Sequence, residues 1–230
     1  MSVDLFDVIE ATWPAAAKTT EGPWVHRDGA GGGKRVSATT LVGEFDEVPD
    51  QELFSVREGQ DMLDAALDAR GYSIFDPSIL YSAPIDELAK HDVPRTTAFV
   101  IWRPLQIMND LWDAGGIGPA RRDVMERATC LKTSILGRIN DRAAGTTFVG
   151  LHQGVAMVHA LEVHPDHRRK GLARHMMVQA AKWGAENGAH TFALVTTDAN
   201  EASKGLYTSL GMSLVGRYHY RVKPAPVRST

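Results

Sequence analysis

The chain is poor in cysteine, in long apolar runs and in any surplus of one charge, and each absence excludes something. Cys130 stands alone among 230 residues, so no internal disulfide can form. A small buried hydrophobe is the simplest role for such a thiol, and a reducing compartment its simplest setting. No apolar stretch approaches the ~18 residues that cross a bilayer. Asp4, Asp7 and Glu10 stand where a signal peptide would have its basic start and apolar run. Lys and Arg number 25 against 28 Asp and Glu, a net charge of −3, which leaves no basic excess for nucleic acid. A mild acidic balance suits a cationic substrate such as an amine. His164 and His167 lie close together, but no helical carboxylate–histidine pattern and no cysteine pair accompanies them, so no metal is expected. The expectation is a soluble, cytoplasmic protein without membrane, metal or nucleic-acid partners.

Hydrophobic residues make up 43% of the chain, enough for one large domain or two small ones. Periodicity predicts a helix over 2–17, with Leu5, Ile9 and Trp13 four apart. Strands are predicted over 24–27 and 35–42, joined by a glycine-rich turn at 28–34, and a further strand over 53–56. A helix over 60–70 ends at Gly71, and a strand runs over 73–81. The polar stretch 84–94 holds two prolines and marks a boundary. The second half then gives a strand over 97–102, helices over 105–115 and 119–129, and strands over 132–139, 146–152 and 155–163. Asn140-Asp141 and Gln153-Gly154 supply the hairpin turns. A helix over 172–187, a strand over 191–197, a helix over 201–210 and a strand over 213–222 follow, with a loose tail from Pro224. Ala69-Arg70-Gly71-Tyr72-Ser73-Ile74 and Ser209-Leu210-Gly211-Met212-Ser213-Leu214 form a faint repeat, which hints at a duplicated half-domain.

The segment 161–174 carries the clearest chemistry. An apolar strand ends at Val163, His164-Pro165-Asp166-His167 turns, and Arg168-Arg169-Lys170-Gly171-Leu172-Ala173 opens a helix. A helix N-terminus offers unpaired N–H groups and the positive end of its dipole, which suits a phosphate. Gly171 and Ala173 lack bulk, so backbone can approach a pyrophosphate. Arg168, Arg169, Lys170 and Arg174 add positive charge around it.

At these residues the chain resembles the GNAT superfamily of N-acetyltransferases. That family's signature, Arg/Gln-x-x-Gly-x-Gly/Ala between a strand and a helix, is matched by Arg168, Gly171 and Ala173, preceded by Leu161-Glu162-Val163-His164-Pro165. A second block, Asn200-Glu201-Ala202-Ser203-Lys204-Gly205-Leu206-Tyr207 followed by Leu210-Gly211-Met212, matches the family's Asn-x-x-Ala/Ser, Leu/Phe-Tyr and Leu-Gly-Phe pattern. The resemblance covers about residues 97–222.

The resemblance implies an α/β fold, a mixed and mostly antiparallel sheet flanked by helices and splayed around acetyl-CoA. It implies transfer of an acetyl group to a primary amine by direct attack, the acceptor being a small molecule or a protein amine. Backbone of Leu161, Glu162 and Val163 would meet the pantetheine arm. Amides from Arg169 through Lys170, Gly171, Leu172 and Ala173 to Arg174 would hold the pyrophosphate, with Arg168 beside them. Asn200 and Ser203 would contact the cofactor, and Tyr207 would protonate the leaving thiolate. Where many members carry a glutamate base, eleven residues before the motif arginine, this chain has Met157. His159, on the same strand face by alternation, is the substitute candidate. Glu162 faces the other way unless a bulge intervenes. A water relay or an already neutral amine would need no side-chain base. The family often forms homodimers. A non-catalytic acyl-CoA sensor is the alternative function.

The glycine run 29–33 before Lys34 is not a phosphate loop, because Asp28 and Arg35 occupy positions that need Gly and Ser/Thr. Gly22-Pro23-Trp24 and Gly32-Gly33-Lys34-Arg35-Val36-Ser37 resemble two-lobed bacterial members of the superfamily. This implies a degenerate lobe over 1–90 and an acetyl-CoA-binding domain over 91–225, with Arg35, Trp24 and Trp102 lining the acceptor site.

Overall fold

The computed structural model describes residues 3–224. The N-terminal part holds α1 (Leu5–Thr12), β1 (Ala17–Glu21), β2 (Trp24–Asp28), β3 (Thr40–Leu41), β4 (Leu53–Arg57), α2 (Asp61–Ala69), β5 (Ser73–Pro84) and α3 (Ile85–Ala89). The C-terminal part continues with β6 (Ala98–Ile101), α4 (Gln106–Ala114), α5 (Pro119–Arg127), β7 (Leu131–Ile139), β8 (Arg142–His152) and β9 (Val155–Val163). It closes with α6 (Leu172–Glu186), β10 (Thr191–Thr197), α7 (Glu201–Ser209) and β11 (Ser213–Val222). Local chemistry starts and stops these elements. Asp4 accepts from the Phe6 amide at 2.8 Å to cap α1, and Asn200 accepts from the Ser203 amide at 3.2 Å to cap α7. Asn140 and Asp141 both take positive φ, as a two-residue hairpin between right-twisted strands demands.

Eight strands form one sheet in the order β4-β11-β5-β10-β9-β8-β7-β6. The sheet therefore runs through both expected domains, 1–90 and 91–225. Every pairing is antiparallel except β9 with β10. The helices α3, α6 and α7 bury one face through Ile85, Leu88, Met176, Met177, Ala180 and Leu210. On the other face α1 and α4 lie over β8 and β9. There Trp13, Met108, Trp112 and Phe148 form a second cluster.

The four strands β4-β11-β5-β10, at one end of the sheet, are related by an internal two-fold. The unit β4–α2–β5 corresponds to β10–α7–β11 at a constant offset of 140 residues: Asp61 to Glu201, Gly71 to Gly211, Ser73 to Ser213. The pairing obeys the same rule. Ser213 opposes Ser82 and, in the same ladder, Val222 opposes Ser73. Thr197 opposes Ser78 while Tyr218 opposes Arg57. Each half thus lends its last strand to the centre of this four-stranded segment.

Several expectations are corrected. The first helix covers only Leu5–Thr12, and the hairpin comes earlier than expected, between β1 and β2 around Gly22-Pro23. Residues 35–42 are not one strand. The glycine-rich stretch bends back on itself, with Gly32 N bonded to Gly29 O and Ser37 Oγ to Gly33 O. A 3-10 turn over Lys34–Val36 follows. A Cβ at Gly29 would collide with the Ser37 side chain, so the loop is a compact knot rather than a hairpin turn. The polar stretch after Pro84, expected to mark a boundary, contains α3, which packs against α6. The expected loose tail lies, beyond Pro224, outside the described residues.

Candidate active site

One extra residue in β9 organises the site. Thr146 opposes Glu162 and Phe148 opposes His159, so three steps on β9 span two on β8. Ala160 takes a φ of 52°, the mark of a bulge. Trp112 holds the kink, donating from Nε1 to Ala160 O at 2.8 Å. The parallel pairing of β9 with β10 ends at Val158–Leu194, and beyond it the two strands part. The bulge also resets the side-chain phase. His159 and Ala160 both pack on the α1 and α4 side, while Leu161 and Val163 join the α6 side. Strict alternation from the sequence places Glu162 opposite His159; the bulge brings it to the same side, against Gly115.

On the α6 side of the parting lies a cleft of about 550 Å³, lined by Leu161, Glu162, Val163, Arg168, Gly171, Asn200 and Ser203 among others. His175 N, bonded to Gly171 O at 3.2 Å, is the first amide of α6 to find a carbonyl. The amides from Arg169 to Arg174 have no backbone partner among the described residues, a row of donors at the positive end of a helix. Gly171 has a φ of 80°, and a Cβ built on it meets nothing closer than His175 at 3.9 Å. It faces open space, as approach of a diphosphate requires. The donor row, the glycine and the flanking cations fit the diphosphate of acetyl-CoA. Arg168 is turned differently from expectation. Its Nε donates to Val163 O at 2.9 Å and its Nη2 to Glu162 Oε1 at 2.9 Å, so the side chain braces the end of β9; Arg169 and Arg174 add positive charge to the cleft wall, while Lys170, outside the lining, donates to Asp166 O at 2.8 Å.

Tyr207, next in sequence to Leu206 of the cleft wall, is itself buried and packed on Tyr81 with ring centroids 5.5 Å apart. Burial pushes its phenol above the usual value, opposed by the neighbouring Ser203 hydroxyl. The group keeps its proton at neutral pH.

On the opposite side of β9 a second, smaller cavity of about 240 Å³ opens, with Trp13, Arg35, His159, Ala160, Thr197 and Tyr218 in its wall. Adjacent residues of one strand, Ala160 and Leu161, therefore border the two cavities. Met157, at the position of the expected base, is fully buried under α1. His159 is buried too, stacked on Trp13 at 5.0 Å. Thr12 Oγ1 donates to Val8 O at 2.7 Å, so it accepts from His159 Nε2–H at 2.8 Å. His159 Nδ1 then accepts from Arg35 Nη1 at 3.3 Å. Burial, followed by the Arg35 charge, holds His159 well below the usual imidazole value. It is a neutral ring with both nitrogens engaged.

Of the acceptor-side candidates, Arg35 reaches the cavity. Trp24 does not: it packs on Phe45 and Phe54 in the N-terminal core. Trp102 does not either, lying over Phe148 with Lys132 on its ring. Trp13, Tyr218 and Tyr220 were not anticipated. Their apolar spacing reads as core, and only the return of distant strands places them at a cavity. His164 and His167 lie in the turn before α6, and no metal-binding group of His, Cys, Asp or Glu exists among the described residues. Among those residues, no helix is long and apolar enough to cross a membrane.

Comparison with known proteins bears on the family and the fold. Residues 106–212 match the acetyltransferase (GNAT) family. The uncharacterized N-acetyltransferase YobR of Bacillus subtilis (strain 168) is 23% identical, over 93% of this chain and 95% of its own. A GCN5-related N-acetyltransferase from Kribbella flavida superposes with a TM-score of 0.70 at 17% identity, over 92% of this chain and 90% of that one. A tandem GNAT protein from the clavulanic acid biosynthesis pathway superposes with a TM-score of 0.55 at 14% identity, over 96% of this chain and 88% of that one. At these identities the structural likeness establishes the fold.

Proposed function

Taking as premise that this chain belongs to the GNAT acetyltransferases, we propose that it moves an acetyl group from acetyl-CoA to a primary amine by direct attack across the β9 bulge. The observation that carries this is the pair of cavities on the two sides of Ala160–Leu161, one with a phosphate cradle and one without. Acetyl-CoA supplies the activated acyl group as substrate. The amides from Arg169 to Arg174 hold its diphosphate, and the unpaired stretch of β9 beyond Val158 receives the pantetheine arm. Asn200 and Ser203, on the first turn of α7, close the far side. In the transfer a nitrogen–carbon bond forms, the carbon–sulfur bond breaks, the amine nitrogen loses a proton to solvent, and Tyr207 delivers one to the departing sulfur and regains it from solvent.

His159 contributes differently from a free histidine base. Its neutral ring, fixed between Thr12 and Arg35, shapes the acceptor cavity and orients Arg35. In this reading the N-terminal residues 1–90 are a degenerate second lobe. Leu63 and Leu67 stand where the two-fold places Ser203 and Tyr207, and no cradle precedes them.

The experiment is thermal unfolding with and without acetyl-CoA, followed by CoA release in the presence of amines. A ligand at 100 times its Kd adds about 2.7 kcal/mol, a clear melting shift. No shift at millimolar acetyl-CoA overturns the reading. A shift without CoA release from any amine would favour the sensor.

A further inference from the structure

The acceptor cavity has a sign opposite to that of the whole chain. Lys34, Arg35 and Arg121 stand in its wall against one carboxylate, Asp76. Lys34 Nζ lies 2.7 Å from Asp76 Oδ2, so that pair cancels. No ion pair among the described residues uses Arg35 or Arg121. Two positive charges are left over in a protein whose net charge is −3.

Both side chains line the same cavity. Arg121 lies against the loop that carries Arg35: a Cβ built on Gly33 would meet its Nε at 3.4 Å. Arg35 is half-buried. Burial works against its charge, but the phenol oxygens of Tyr218 and Tyr220 more than offset this, so it stays protonated. Its Nη1 is spent on His159 Nδ1, yet its Nε is buried without any partner. The surrounding atoms seal Nε off, so an anion in the cavity would offset the guanidinium's charge without reaching Nε. A planar guanidinium prefers the two oxygens of a carboxylate or phosphate. The cavity's volume, about 240 Å³, falls just below the ~300 Å³ lower end of ordinary ligand pockets, which limits the occupant to a small molecule.

We infer that the acceptor is a small amine bearing its own anionic group, a carboxylate first of all, which is held between Arg35 and Arg121. The inference rests on the acetyl-transfer reading and deepens it. It also accounts for Met157. A nearby like charge disfavours an ammonium ion, so the same guanidinium groups bias the bound amine toward the neutral form that attacks. A pocket that neutralises its amine by charge has less need of a carboxylate base.

The test uses matched pairs of acceptors: glycine and glycinamide, β-alanine and its amide, and O-phosphoethanolamine and ethanolamine. Two readouts are taken on the full chain, CoA release and calorimetric binding in the presence of saturating CoA. The inference expects the anionic member to exceed its neutral partner at least tenfold in kcat/KM and in affinity. The last pair tells phosphate from carboxylate. Arg121→Gln, at the rim, should bring the ratio close to one while leaving acetyl-CoA affinity unchanged. Turnover that is equal within pairs, or better with the neutral amines, overturns the inference and leaves acetyl transfer standing. Absence of turnover with every amine overturns the transfer reading instead. The binding ratio then still decides the pocket: anion preference upholds an anion site, and equal binding removes it.

Discussion

Arg35 Nη1 lies 3.3 Å from His159 Nδ1, although 124 residues separate them. The contact joins a glycine-rich loop of the N-terminal part to the middle of β9, and it fixes the ring as the neutral Nε2–H tautomer. The consequence is a pH dependence of stability. His159 has a folded pKa well below its ordinary value of 6.5, so both folded and unfolded states are neutral above that value and stability is fully present there. As pH falls below about 6.5 the unfolded chain takes up the proton first, and stability is lost down to the depressed folded pKa. One such group gives a slope of up to about 1.4 kcal/mol per pH unit. Chemical denaturation between pH 7.5 and 5 should show this slope, and His159→Gln, which cannot titrate, should flatten it by about one proton. Equal slopes in both proteins would remove His159 from the neutral, desolvated state described here.

Gly171 separates backbone strain from charge at the cradle. Its φ of 80° makes most side chains costly there, whereas Asn and Asp enter the left-handed region more readily. Gly171→Asn and Gly171→Asp therefore carry similar strain and bulk and differ mainly in one negative charge facing the diphosphate site. We expect Asp to weaken acetyl-CoA binding at least tenfold more than Asn, with similar melting temperatures for the two apoproteins. Equal acetyl-CoA affinity by calorimetry would place the diphosphate elsewhere.

How much of this was legible beforehand follows from the range of each signal. The cradle is local: Arg168, Gly171 and Ala173 fall within six residues, and strand, turn and helix follow in order. The C-terminal strands alternate clearly and end at turn residues such as Asn140-Asp141, so β9, β10 and β11 have the bounds expected of them. The bulge at Ala160 leaves no comparable trace, because it is set by Trp112, 48 residues away, and by the partner strand. Arg35 sits in a loop whose path depends on Gly29 and Gly32 packing against Ser37, Val36 and Val124. The internal two-fold showed in sequence only as a glycine-ended helix followed by a strand. The exchange of β5 and β11 is a matter of non-local register, which such a short motif cannot carry.

Arg221 tests what ties the two parts together. It is buried on β11, donating to Asp64 at 2.7 Å, to Asp68 at 2.8 Å and to Tyr72 O at 2.8 Å. All three partners lie on or just after α2. Arg221→Met keeps the apolar stem but leaves the Tyr72 carbonyl without its partner, while Asp64 keeps His219 and Asp68 stays in water, and should cost about 1–2 kcal/mol at pH 7. The hydrogen bond from Arg221 is the main reason that Asp64 has a lowered pKa. That contribution is present above the unfolded carboxylate value of about 3.9 and fades as pH falls through the lowered folded value. The gap between wild type and variant should therefore narrow at pH 3. A gap independent of pH would mean that packing, not the ion pair, accounts for the loss.

Tyr207 is the group on which the proposed chemistry turns. Its phenol is buried beside Tyr81, and burial keeps it protonated, so it is suited to give a proton rather than to accept one. Tyr207→Phe retains the ring and its packing and removes only the hydroxyl. A proton donor positioned at a leaving group contributes on the order of 10²–10⁴ in rate. We expect kcat to fall by about 10² or more while acetyl-CoA affinity changes by less than about threefold. Thiol leaving groups of differing acidity sharpen the test. If the phenol protonates the sulfur, a thioester with a more acidic leaving thiol should lose much less rate in the variant than acetyl-CoA does. An equal loss for both thioesters would make Tyr207 a packing residue, because a distorted site slows every donor alike.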